Sequence, residues 1–164
     1  MKLYFLRHAD ALAGMDDAQR PLSPTGRQQA QELARCLRRS GVTFDLAFTS
    51  PLVRAQQTLA IVLAITNQSQ PVQAQETPAL LNSTDADAFA DWLAQLPDAG
   101  HVLLVGHEPT LSARVRRMLG LEREEALLLS KGAVACVKTD DQRVGTLKFL
   151  LTPKSLGVSG NRQS

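Results

Sequence analysis

Cysteine is nearly absent from this chain: the only two, Cys36 and Cys136, stand far apart inside apolar patterns, with no metal-like spacing. They read as small core residues in a reducing compartment, and nothing motivates a disulfide. Long hydrophobic runs are missing too. The longest, Leu59 to Ile65, falls well short of the roughly 20 residues that span a bilayer. With no apolar signal segment ahead of the first strand, a cytoplasmic protein is expected. Neither sign of charge dominates: 18 basic residues face 16 acidic ones, a net +2, so no global field argues for nucleic acid. There is no internal repeat. Lysine is scarce beside arginine, and the planar guanidinium fork binds phosphate or carboxylate bidentately where an ammonium acts as a point charge.

What the 164 residues do contain is one domain's worth of apolar residues, 44% of the chain, expected over 1–152 with a polar tail over 153–164. Leu3, Tyr4, Phe5 and Leu6 form a continuous apolar run that stops at Arg7 and His8, the mark of a strand covered on both faces. Ser23 as cap, Pro24 and a stripe of Ala30, Leu33, Ala34 and Leu37 predict a first helix that Gly41 stops. A strand is expected over Phe44–Thr49. Ser50 should then cap a second helix, with Pro51 in its first turn and Leu52, Ala55, Leu59, Val62 and Leu63 on its inner face. A short strand over Val72–Gln75 leads to Glu76. Ser83 or Thr84 should cap a helix carrying Phe89, Trp92, Leu93 and Leu96. His101–Gly106 is another continuous strand, ending in His107, and a helix follows to about Leu119, where Gly120 stops it. Ala133–Lys138 and Thr146–Leu151 close the chain as a hairpin. This alternation predicts an α/β fold, a three-layer sandwich whose mainly parallel central sheet is flanked by helices.

Polar residues follow the carboxyl ends of three predicted strands: Arg7 and His8; Thr49, Ser50 and, a turn later, Arg54; and Gly106 and His107. Ligand crevices of open α/β sheets lie at that edge, and helix N-termini there favour anions. Phosphoryl transfer needs positive donors around the equatorial oxygens and an in-line nucleophile. Arg7, Arg54 and His107 suit the first task and an unprotonated His8 nitrogen the second.

Leu6-Arg7-His8, the segment Ser50 to Thr58, and Val105-Gly106-His107 resemble the three signature segments of the histidine phosphatase superfamily, whose fold is phosphoglycerate mutase-like. Arg7 to Ala11, Arg20 to Ser23, and Thr25-Gly26 further resemble its SixA-type phosphohistidine phosphatases. The resemblance covers roughly residues 1–150. It implies His8 as the phosphorylated nucleophile, Arg7, Arg54 and His107 as phosphate ligands, and neither metal nor cofactor. Ala9 stands where many members have glycine. The stretch from Glu76 to His101 leaves no room for the helical cap of larger members, so the pocket should be open, as suits a phosphorylated side chain on a signalling or phosphotransfer protein. A monomer is expected.

Glu76 matches the superfamily's usual acid region, although Asp10, Asp16, Asp17 and Glu108 also lie on loops near this edge. An imidazole leaving group, which titrates at about 6.5 when unperturbed, needs less acid assistance than an alkoxide. His101, at the opposite end of its strand, reads as a surface histidine. Arg114, Arg116 and Arg117 read as a solvated face, with docking of an acidic partner as the minor reading. Small phosphate esters, with or without mutase activity, are the alternative substrates. A metallohydrolase built on His8, Asp10 and His107 and a non-catalytic phosphate-binding module are the other classes.

Overall fold

A computed structural model describes residues 1–141 and 143–158. Among these residues the elements run β1 (Lys2–Arg7), α1 (Pro24–Arg39), β2 (Leu46–Thr49), α2 (Val53–Thr66), β3 (Ala74–Glu76), α3 (Ala86–Ala94), β4 (His101–Gly106), α4 (Thr110–Leu119), β5 (Val134–Thr139) and β6 (Gly145–Leu151). The six strands form one sheet in the order β3-β2-β4-β1-β5-β6. The first four are mutually parallel, and β5 and β6 run antiparallel.

The apolar runs account for the three layers. Successive strand residues point to opposite faces, so Tyr4 and Leu6 join Leu103 and Val105 beneath Leu33, Leu37, Leu59 and Val62 of α1 and α2. Leu3 and Phe5 join Val102 and Leu104 against Phe89, Leu93, Leu111 and Val115 of α3 and α4. Both faces of β1 and β4 are therefore buried, which is why their sequences show no alternation.

Several element boundaries shift for visible reasons. Strand β2 starts at Leu46 because the Asn67 side chain takes both backbone groups of Phe44, donating to its carbonyl and accepting from its N–H. Strand β3 lies at Ala74–Glu76, one edge of the sheet, and all three residues are exposed. Asp85 caps α3, because the Thr84 hydroxyl donates instead to Pro78 O at 2.6 Å. Ser50 does not cap α2, which starts at Val53 with no side-chain cap; its hydroxyl meets His107. The hairpin strands begin and end within a residue of expectation. Of the tail expected over 153–164, residues 159–164 lie outside the described residues, while Pro153 and Val158 are buried.

Strand register builds the edge that carries the candidate site. Arg7 pairs with Gly106 and Thr49 with Val105, so His8, His107 and Ser50 leave adjacent strands together. The loop after His8 is held by α1: the Gly26 N–H donates to its capping Ser23, and Asp10 O accepts from Ser23 N at 3.0 Å. A β-carbon on Gly26 would stand 1.9 Å from that Asp10 oxygen. Gly26→Ala is therefore expected to destabilise the fold by roughly 3 kcal/mol and to lower turnover by displacing the loop behind His8. Urea unfolding and steady-state kinetics check the two effects.

Candidate active site

His8 is 7% exposed, and its Nδ1 lies 2.7 Å from Ala9 O. A carbonyl can only accept, so Nδ1 carries the proton and Nε2 keeps its lone pair. Ala9 is fixed in turn, since its N–H donates to Thr58 Oγ1, whose hydroxyl donates to Arg54 O. The His107 ring lies 5.1 Å away, centroid to centroid. Ser50 Oγ accepts from Leu52 N–H and sits 2.6 Å from His107 Nε2. Because Ser50 Oγ already accepts from Leu52 N–H, we assign its hydroxyl as donor to Nε2, and on that assignment the His107 proton lies on Nδ1 and makes that atom a donor.

Burial is the first cause that lowers both histidines, His8 to about 3 and His107 to about 4, with Arg54 and Arg7 opposing the cation at each. Both rings are neutral near pH 7. In the unfolded chain they take up protons at about 6.5, so this contribution to stability is complete above that value and lost as pH falls toward 4 and then 3. Stability in urea should decline from pH 7 to pH 5, and the His8→Ala chain should show a shallower decline; equal slopes would contradict the assignment.

Arg7 is held by a chain of part-buried and buried hydrogen bonds. Glu108 Oε1 accepts from Ser112 N and Oγ, Ser112 Oγ accepts from Leu129 N, and Leu129 O accepts from Arg7 Nη1 at 3.0 Å. Arg54 donates from Nη1 to Asp17 O at 2.8 Å and from Nη2 to Asp17 Oδ2 at 3.2 Å. Asp17 opens a 3-10 turn, Asp17–Gln19, at the rim of the site. Its side chain is 69% exposed and also pairs with Arg20; the Arg54 charge holds its carboxyl below the usual range. Each arginine keeps an unpaired Nε, and His107 keeps an unpaired Nδ1. Among the described residues these are three of the four buried side-chain nitrogens or oxygens without a partner, the fourth being on Arg114. Each such atom costs about 1–3 kcal/mol until something accepts from it. Together they suit a compact anion with several acceptor oxygens.

The carboxylates are distributed unequally. Glu76, at the end of β3, is exposed and accepts from Gln56 Nε2 at 2.6 Å. Asp10 accepts from Lys131 on Oδ1 and from Ser23 on Oδ2, so both its oxygens are engaged away from a metal shared with His8. No group of three or more His, Cys, Asp or Glu able to hold a metal ion occurs among the described residues. His101 is half-buried, with Nδ1 2.7 Å from the Tyr4 hydroxyl. The solvated-face reading of the arginine group fails at Arg114, which is 5% exposed, and Arg116 donates to Leu127 O.

Sequence alone assigns no site role to the Ser50 hydroxyl or to Ser112. Ser50 carries the signal of following a strand end; Ser112, inside α4, carries none. Ser50→Ala should leave His107 Nε2 and the Leu52 N–H without their partner, lowering kcat by about tenfold, or ~1.4 kcal/mol, in steady-state kinetics and lowering Tm by about 2–8 °C in a melting curve.

The family profile described as the histidine phosphatase superfamily (branch 1) matches residues 3–82. An uncharacterized protein of Picosynechococcus sp. (strain ATCC 27264 / PCC 7002 / PR-6) is 31% identical over 167 residues, covering 95% of this chain and 99% of that protein. The phosphohistidine phosphatase SixA of Escherichia coli (strain K12) is 28% identical over 162 residues, covering 97% of this chain and 98% of that protein. The solved structure of the protein histidine phosphatase SixA complexed with tungstate superposes with a TM-score of 0.86 at 27% identity, covering 95% of this chain and 99% of that one.

Proposed function

Since the chain belongs to the histidine phosphatase superfamily, we propose that this phosphatase removes phosphate from phosphohistidine on a signalling or phosphotransfer protein, without a metal ion. The observation that carries the chemistry is the group of unpaired buried nitrogens on Arg7, Arg54 and His107 beside a neutral His8 whose Nδ1 is tied to Ala9 O.

In the first step the His8 Nε2 lone pair forms a bond to phosphorus as the bond to the leaving group breaks. Arg7, Arg54 and the His107 Nδ1–H donate to the equatorial oxygens, where negative charge is concentrated. A protonated imidazole leaves as a neutral ring. In the second step water attacks phosphorus as the bond to Nε2 breaks, His8 recovers its lone pair, and both water protons leave on the departing dihydrogenphosphate. Burial keeps His8 unprotonated and so competent as a nucleophile. The structure around Glu76, exposed and bonded to Gln56, favours a reaction that makes little demand on an acid, so Glu76 is kept as an auxiliary proton donor for oxygen leaving groups. Glu76→Gln should then slow phosphomonoesters more than phosphohistidine.

The likeness to SixA over the whole chain supports the protein substrate. Comparing kcat/KM on phosphohistidine proteins with a panel of sugar, nucleotide and other small phosphate esters tests it, and strong preference for the small esters would establish the alternative. Full activity after exhaustive chelation is expected; its loss, with recovery on adding a divalent ion, would favour a metallohydrolase.

A further inference from the structure

Beyond the catalytic edge, α3 and α4 enclose an open groove of about 470 Å³. It begins at Asn82 and Thr110, which belong to the active-site surroundings: Asn82 Nδ2 donates to Glu108 O at 2.7 Å, and Thr110 Oγ1 donates to Asn82 Oδ1 at 2.7 Å. From Thr110 it follows α4 to Met118, about 12 Å at the helical rise. Its walls are mostly apolar, with Phe89, Ala90 and Leu93 facing Ala113 and Met118. Ala90 and Ala113 are exposed alanines, so nothing bulky fills the space between them.

The charge in this groove has one sign in excess. Arg114, Arg117 and Arg143 line it, against Asp85, whose carboxylate accepts from Ala88 N as the α3 cap. Arg117 pairs with the exposed Asp87. Arg114 differs from both. Its guanidinium carbon lies 4.2 Å from the Phe89 ring centroid, Nη2 donates to Leu81 O and Thr84 O, and Nη1 has no partner. Among the described residues its contacts are neutral carbonyls and a ring, and burial alone lowers it to about 10. A buried cation without a counter-ion is costly, and a carboxylate brought near it would be attracted through a medium that screens poorly.

Resting on the protein-substrate reading above, we infer that the α3–α4 groove docks the phosphorylated protein itself, taking an amphipathic helix whose apolar face lies along the groove and carries an acidic residue toward Arg114. The near end of the groove, where Asn82 is bonded to the Glu108 carbonyl next to His107, places such a helix where it and the reacting phosphate can engage one molecule at once. A small phosphate ester held at His8 does not extend that far, so the two substrate types respond differently to changes in the groove.

The test compares histidine phosphotransfer proteins of the source organism, phosphorylated with phosphoramidate, with p-nitrophenyl phosphate. Ala113→Glu adds bulk and negative charge at an exposed helical position, Ala113→Trp adds bulk alone, and Arg117→Glu reverses a lining charge. Each variant is expected to lose tenfold or more in kcat/KM on the phosphoprotein, mainly through KM, and to stay within twofold of the parent on p-nitrophenyl phosphate. Unchanged phosphoprotein kinetics, or equal losses on both substrates, would overturn the docking site and leave the phosphohistidine reading intact. If the parent protein dephosphorylates none of these proteins but hydrolyses the small ester, the substrate reading fails and the docking site falls with it.

Discussion

His8→Ala is expected to lower kcat by on the order of 10⁵-fold, as loss of the proposed covalent nucleophile would, while shifting Tm by no more than about 4 °C. The two halves of this expectation come from the same environment. His8 sits past the end of β1, where its ring contacts Ala9 O and the His107 ring and contributes nothing to the two apolar clusters flanking the sheet. A ring held neutral at a site that burial makes unfavourable for its charge gives little to the fold at neutral pH. Rapid quenching with ³²P-labelled substrate supplies the chemical check: label should appear on His8 of the parent chain. Turnover without label at His8 would refute the nucleophile.

Arg54→Ala should reduce kcat/KM by roughly 10³-fold, in line with removal of a preorganised donor to a developing charge, and inorganic phosphate should inhibit it far more weakly. Both KM and kcat should worsen, because in the proposed mechanism the guanidinium contacts phosphate in the ground state as well as the transition state. Arg54→Lys should recover little, since the three donors of an ammonium radiate from one nitrogen and cannot reproduce the planar spacing by which Nη1 and Nη2 reach Asp17 O and Asp17 Oδ2 while Nε stays free for a third acceptor. Normal kinetics in either variant would place the phosphate elsewhere. The Asp17 side chain is exposed at the rim, so its own contribution should appear in anion affinity: Asp17→Asn removes a charge that competes with phosphate for Arg54.

Strands β1 and β4 are readable from residues alone because burial on both faces leaves an unbroken apolar run, and helix α1 because Ser23, Pro24 and one apolar stripe all agree. Strand β3 is placed only approximately by its sequence, since a three-residue exposed edge needs no hydrophobic pattern to pair with β2. Bringing His8 and His107 together is legible through their positions after strands that pair in a parallel sheet. Ser50 reads as a cap in sequence because a serine between strand and helix suits either task, and only the distance to His107 Nε2 decides between them. Arg114 misleads for a different reason. Its neighbours Arg116 and Arg117 suggest a solvated face, and helical periodicity cannot reveal that Phe89, from another helix, lies beneath one guanidinium.

The strand order has a consequence for biosynthesis. Strand β1 precedes β4 and β5 in the chain by about 100 and about 130 positions, yet it lies inside the sheet between them. His8 therefore exists for most of translation without His107 beside it and without the Leu129 carbonyl that orients Arg7. Pairings of such long sequence separation form slowly. A nascent chain can carry the proposed nucleophile without the groups that would make it competent, and a chain that stops before β4 never acquires them.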